Sequence, residues 1–268
     1  MTAQDAGGIL GLDHLTLAVA DLAAATAAYA TIFDQPARQS GTAEGLTWAA
    51  FALANTTLVL VAAPEAADGL ARHLAAGPGP GALGFAVADP DRAARLLERR
   101  GLPAEGPPRL WLGRSATTYA PGAARGLRLL TIAPAPPAAS ATRLDHAVIR
   151  SADPERTTAL LAGRLGLELR LDRSNPAWGS RLLFFRCGDL VIEVSHDLAA
   201  GIGAAPDSLW GLTWGVADIA TTHARMEAAG LAVSPLRVGR KPGTRIFTLR
   251  DAAAGAPTAF IGAWSAIA

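Results

Sequence analysis

The chain has 268 residues, half of them hydrophobic and 18% charged, which is ample for a packed core and excludes the disordered class. A net charge of +1 offers no basic surface for nucleic acid or an acidic membrane, and neither partner is expected. The single cysteine, Cys187, excludes an internal disulfide and leaves a cysteine-based zinc site short of ligands.

No apolar run approaches the roughly 18 residues that span a bilayer. The first eight residues lack the basic start and apolar stretch of a signal peptide. A soluble, cytoplasmic protein is expected.

Four times an apolar strand-like run ends in Ala-Asp and a helical stretch begins, at Ala20-Asp21, Ala88-Asp89, Ala152-Asp153 and Ala217-Asp218. Successive aspartates lie 68, 64 and 65 residues apart, so one structural unit is used four times. In the first copy Leu15, Leu17 and Val19 alternate with His14, Thr16 and Ala18, the period of a half-buried strand. Asp21 then caps a helix reaching about Phe33, because its carboxylate can accept from the free amides of the first turn. Strands at 46–53 and 57–61 flank Ala54-Asn55.

The second copy has a strand at 83–87, the cap Asp89, Pro90 in the first helical position and Gly101 as terminator. The third has Asp153-Pro154, a helix ending near Gly166, and strands at 168–171, 182–186 and 190–194. Its last two strands meet at Cys187-Gly188-Asp189, which reads as a tight hairpin. In the fourth, Asp218 caps and Gly230 terminates.

Each unit is strand–helix–strand–strand–strand, and one unit cannot bury both its helix and its sheet face alone. The proline-rich stretch 133–142 is the clearest linker, and Gly77-Pro-Gly-Pro-Gly81 and residues 198–208 separate units within each half. The expected fold is α+β, with four βαβββ units in two tandem domains of curved mixed sheets. The domains are 8–134 (units 9–63 and 81–133) and 143–266 (units 143–197 and 209–266).

Leu12-Asp-His14, the Ala-Asp helix starts and Gly188-Asp-Leu-Val-Ile-Glu193 together resemble the vicinal oxygen chelate superfamily of glyoxalase, bleomycin-resistance and extradiol-dioxygenase proteins. Asn175-Pro-Ala-Trp-Gly179 adds a resemblance to its glyoxalase-like subgroup. The resemblance implies that paired units curl into a cup holding a divalent ion (Zn, Ni, Mn, Co or Fe), with ligands on the first and last strands of each unit. The first-strand positions are His14, Ala82, His146 and Gly211, and the last-strand positions fall near Leu60, Leu130, Glu193 and Gly262. Carried over, the metal candidates are His146 and Glu193, with His14 completing a set of three if the cups share a site. The purely structural alternative makes each histidine a hydrogen-bonded strand residue.

Alternation puts Val191, Glu193 and Ser195 on the cup face and turns His196 to the helix side. Arg150 shares the face of His146, where it either pairs with Glu193 or holds a substrate carboxylate. Both readings make Arg150 interior. Small residues (Thr16, Ala18, Gly84, Ala86, Thr213, Gly215) are expected to leave space in the cups. Trp48, Trp178, Trp210 and Trp214 lie near these strands as wall or core. His73 and His223 read as surface helix residues, and the basic run 237–245 as a solvated hairpin or a gate over the second cup. No phosphate-loop or nucleophile-elbow pattern is present.

The resemblance thus implies a divalent-metal-dependent lyase or isomerase acting on a small oxygen-rich substrate, with Glu193 and Arg150 as catalytic candidates. The alternative is a metal-free small-molecule binder or a structural relative with a decayed site. Ring cleavage is disfavoured by Gly211 and Gly262. A homodimer stays open.

Overall fold

The computed structural model describes residues 8–43, 45–62, 69–74, 79–250 and 255–263. In the first half the chain runs β1 (Ile9–Ala18), α1 (Leu22–Phe33), β2 (Gln39–Ala43), β3 (Leu46–Ala52), β4 (Thr57–Ala62), α2 (Gly69–Leu74), β5 (Gly79–Val87), α3 (Pro90–Arg99), β6 (Arg109–Trp111), β7 (Arg114–Tyr119) and β8 (Arg128–Ile132). The second half repeats the order as β9 (Thr142–Arg150), α4 (Pro154–Thr158, continued as a wider π turn over Ala159–Arg164), β10 (Glu168–Asn175), β11 (Ser180–Cys187), β12 (Leu190–Asp197), β13 (Ser208–Val216), α5 (Ile219–Ala228), β14 (Arg237–Val238), β15 (Thr244–Leu249) and β16 (Thr258–Ala263). Among the described residues no helix is long and apolar enough to cross a membrane.

All four repeated aspartates cap as their position requires. Asp21 accepts from the Ala24 amide, Asp89 from Arg92, Asp153 from Arg156, and Asp218 from Ala220 and Thr221. Each cap contributes about 1 kcal/mol.

Two eight-stranded mixed sheets result, in the order β2-β3-β4-β1-β5-β8-β7-β6 and β10-β11-β12-β9-β13-β16-β15-β14. Within each, the first strands of the two units pair antiparallel at the centre, and each pairs in parallel with the last strand of its own unit. The tight turn at Gly188-Asp189 closes β11 onto β12 by the pairing of Cys187 with Leu190, with Gly188 at φ 63°.

One expected separator is instead partly strand. Gly79, Pro80 and Gly81 open β5, with Gly79 and Pro80 paired to Ala18 and Leu17 at the end of β1; residues 77–78 lie outside the described residues. Close approach is the reason: a Cβ on Gly81 would lie 2.3 Å from the Leu74 carbonyl oxygen and 2.4 Å from Thr16 Oγ1.

The convex faces of both sheets and the helices share one core, which includes Phe51, Leu60, Phe85, Ile149, Phe185, Ile192 and Phe260. Phe33 of α1 meets Trp214 of β13 edge-on at 5.0 Å. Asn55 ties the halves by donating to the Leu144 carbonyl at 2.9 Å and accepting its amide at 2.8 Å. Arg125 pairs with the buried Asp207 at 3.2 Å.

The two concave faces differ. In the first sheet the small residues leave no space, because a second core of Val59, Val61, Leu74, Trp111, Leu130 and Ile132 fills the cup. In the second sheet β12 alternates buried Leu190, Ile192 and Val194 with half-exposed Val191, Glu193 and Ser195, so the cup face stays open to solvent.

His73 and His223 are not surface residues; they are 4% and 9% exposed. Each is held by a carbonyl, His73 by Leu129 at 3.1 Å and His223 by Ser234 at 2.9 Å. Each imidazole points inward from its helix, His73 to a carbonyl of β8 and His223 to one in the loop before β14.

Candidate functional site

His14 lies at the bottom of the filled cup, fully buried. Its Nδ1 is 2.7 Å from Asp13 Oδ1, and its Nε2 accepts from Trp111 Nε1 at 3.0 Å. Because the indole can only donate, Nε2 is the unprotonated nitrogen and Nδ1–H donates to Asp13. Asp13 also takes two guanidinium bonds from Arg114, at 2.6 and 2.9 Å, and the Ala135 amide at 2.7 Å. Burial alone would raise this carboxyl; His14 and Arg114 together hold it far below the usual carboxylate range.

A Cβ on Gly84 would lie 2.2 Å from the His14 ring. Gly84→Ala should therefore destabilise the protein by at least about 1–3 kcal/mol, read as a lowered denaturation midpoint. An unchanged midpoint would show that the ring is free to move.

His146 occupies the equivalent place in the second sheet, in the open cup. Its Nε2 is 3.7 Å from Glu193 Oε2 and its Nδ1 is 3.7 Å from Asp145 Oδ2. The two side chains are 24% and 15% exposed. Both distances are longer than an ordinary hydrogen bond, so the His146 ring lies between Asp145 and Glu193 without a short bond to either.

Burial pushes the Glu193 carboxyl up, against the pull of His146 and Arg240. Asp145 is held below its usual range by the His146 ring, against burial and with help from Lys241 and Arg143. Cys187 is buried and its thiol is pushed up to about 12 by desolvation and Asp189, so it is no nucleophile at neutral pH.

Strand register corrects two of the expected last-strand positions. Val148 pairs with Glu193, and its counterparts Thr16, Gly84 and Thr213 pair with Val59, Leu130 and Ala259. The positions expected near Leu60 and Gly262 are thus Val59 and Ala259, because the residue facing the cup is fixed by pairing rather than by distance from the repeat. Glu193 is the single carboxylate in the four.

Among the described residues no group of three or more His, Cys, Asp or Glu lies within reach of one metal ion. His14 is therefore not brought to His146 and Glu193: each histidine faces its own sheet's cup, and His14 is already engaged at both nitrogens.

Arg150 is exposed rather than interior, with its guanidinium 4.1 Å from the centre of the Trp210 ring. It lies at the last position of β9, where the sheet meets solvent. The basic run forms the β14–β15 hairpin, and its Arg240 stacks at 3.9 Å over Trp178. Arg240 was not singled out by sequence because strand spacing says nothing about a turn residue reaching across a cup.

The chain belongs to the Glyoxalase/Bleomycin resistance protein/Dioxygenase superfamily, whose family models match residues 11–119 and 145–248. It is a tandem member, with one such match on each sheet. Its fold is similar to that of a triple mutant of 4-hydroxymandelate synthase from Streptomyces coelicolor, at 13% identity and TM-score 0.73, covering 97% of this chain and 94% of that one. It is also similar to a variant of homoprotocatechuate 2,3-dioxygenase from B. fuscum, at 16% identity and TM-score 0.68, covering 96% and 72%. At these identities the likeness is one of fold. No curated protein matches the chain.

Proposed function

We propose that the second cup is the working site of a divalent-metal-dependent lyase or isomerase for a small oxygen-rich substrate. The observation that carries this reading is the pair His146 Nε2 and Glu193 Oε2, 3.7 Å apart in the open cup with no short hydrogen bond between them. One nitrogen and one carboxylate oxygen at that separation suit a first-row divalent cation between them. Asp145 behind the His146 ring is placed as an outer carboxylate that orients a ligating imidazole.

The chain supplies two donors, so two neighbouring substrate oxygens or water complete the set. When bound, the cation supplies Lewis acidity toward those oxygens. Glu193 keeps Oε1 within reach of a chelated substrate, where it can take a proton from carbon and return it. Val148, which pairs with Glu193, is buried and forms an apolar wall beside it. Arg150 at the rim contributes a guanidinium for a substrate carboxylate.

Elemental analysis of protein purified without chelator, then supplied with Mn, Fe, Co, Ni or Zn, tests this. The expected result is about one ion per chain, lost in Glu193→Ala and His146→Ala and retained in His14→Ala. Wild-type protein that holds none of the five sinks the reading. The competing reading, a metal-free binder of small molecules, is favoured by the absence of a third donor among the described residues; after a negative metal result, a ligand thermal-shift screen separates it from a structural relative with a decayed site. Ring cleavage gains no support, because the corresponding positions of the last unit are Gly211 and Ala259.

A further inference from the structure

On the cup face of the second sheet, strand pairing sets residues in rows. One row runs Leu171, Phe184, Glu193, Val148. The next runs Arg173, Leu182, Ser195, Arg150. Adjacent rows are two residues apart along each strand, about 7 Å. Two arginines therefore stand one row beyond Glu193, on the same face.

A third arrives from the opposite edge. Trp178 sits in the turn between β10 and β11, while Arg240 belongs to the β14–β15 hairpin, and β10 and β14 are the two outermost strands of the sheet. Their stacking at 3.9 Å brings both edges together over the cup mouth, and Arg173 also lies over the same ring at 5.3 Å. Arg150 lies over Trp210.

A guanidinium stacked by its face keeps its N–H donors, which lie in the plane, free for an oxyanion. None of Arg150, Arg173 and Arg240 has a carboxylate within ion-pair distance among the described residues. The neighbouring Asp172 is taken by Arg181 at 2.6 Å. Three cations without acidic partners, held by aromatic rings around one opening, need an explanation that surface solvation does not give.

We propose that Arg173 and Arg240, with Arg150 on the far side, bind the terminal carboxylate of a small organic acid whose other, oxygen-bearing end reaches His146 and Glu193. This rests on the second cup being the ligand site and adds its substrate class: a short acid with a carboxylate at the end away from its chelated oxygens. The arginines select the acid, and the Trp178–Arg240 contact closes the mouth behind it.

Isothermal titration calorimetry with 2-oxoglutarate and 2-oxopentanoate, which lacks the distal carboxylate, provides the test. Wild type should bind 2-oxoglutarate at least about tenfold more tightly. The double variant Arg173→Ala/Arg240→Ala should lose that preference, and Arg240→Lys should keep part of it. All three side chains are exposed, and unchanged circular-dichroism melts would verify that the fold is intact.

Equal wild-type affinities, no binding of either acid, or a preference that survives in the double variant would overturn the proposal. Glu193→Ala in parallel separates the two readings. If it abolishes binding while the arginine variants do not, the rim fails and the cup stands. If the arginine variants lose the preference while Glu193→Ala binds as wild type does, the rim stands and chelation at Glu193 fails.

Discussion

Asp13→Ala should lower the unfolding free energy by about 3–5 kcal/mol, the loss that follows when one partner of a buried charge network is removed. The carboxylate is 1% exposed and satisfies Arg114, His14 and the Ala135 amide at once. Without it Arg114 keeps only the Ala133 carbonyl, and the His14 Nδ1–H is left without an acceptor in the interior. Urea denaturation at neutral pH measures the loss. A change under about 1 kcal/mol would class the network with ordinary surface ion pairs.

The same carboxyl sets a pH dependence. Its folded pKa is depressed, so its stabilisation is complete above the unfolded carboxylate range near about pH 4 and is lost as pH falls below it. The difference between wild type and Asp13→Ala should therefore shrink as denaturation is repeated from about pH 4 toward about pH 2. A gap that stays constant over that range would mean that the carboxyl does not titrate there.

Trp214→Ala should cost about 3–5 kcal/mol, as for other large aromatic truncations in a core. Trp214 is fully buried in β13 of the second half and packs edge-on against Phe33 of the first. The cavity would lie where the halves meet, so one cooperative transition should weaken as a whole rather than split. Its indole N–H is buried without a partner, which carries its own desolvation cost. Trp214→Phe, which removes that N–H and keeps most of the contact, should therefore cost much less than the alanine variant. Equal losses in the two variants would show that the ring contact with Phe33 contributes little.

The four Ala-Asp junctions were legible because helix capping is local: a carboxylate one residue before a helix finds its amides wherever the helix goes. Strand alternation likewise placed Glu193 in a cup and turned His196 away from it, because side chains on a strand alternate between its faces whatever the strand pairs with. Register was not legible. Which residue of the last strand faces Val148 or Thr213 is set by the parallel register between the first and last strands of a unit, and counting along the chain misses Val59 and Ala259 by one and three residues. Nor was burial on short helices, where His73 finds a carbonyl 56 residues away and His223 one in the loop that follows its helix.

The sequence by itself determined that this protein is a fourfold repeat and that its third unit alone carries both a His and a Glu at the repeat's first- and last-strand positions, since caps and periodicity are local properties. Only the tertiary structure decided that the first cup is filled and the second open. His14 and His146 have the same local sequence, Leu-Asp-His, and different fates. Trp111, 97 residues away from His14, fills the first cup and takes the imidazole's free nitrogen, while in the second the matching space is left to Glu193, Arg240 and solvent.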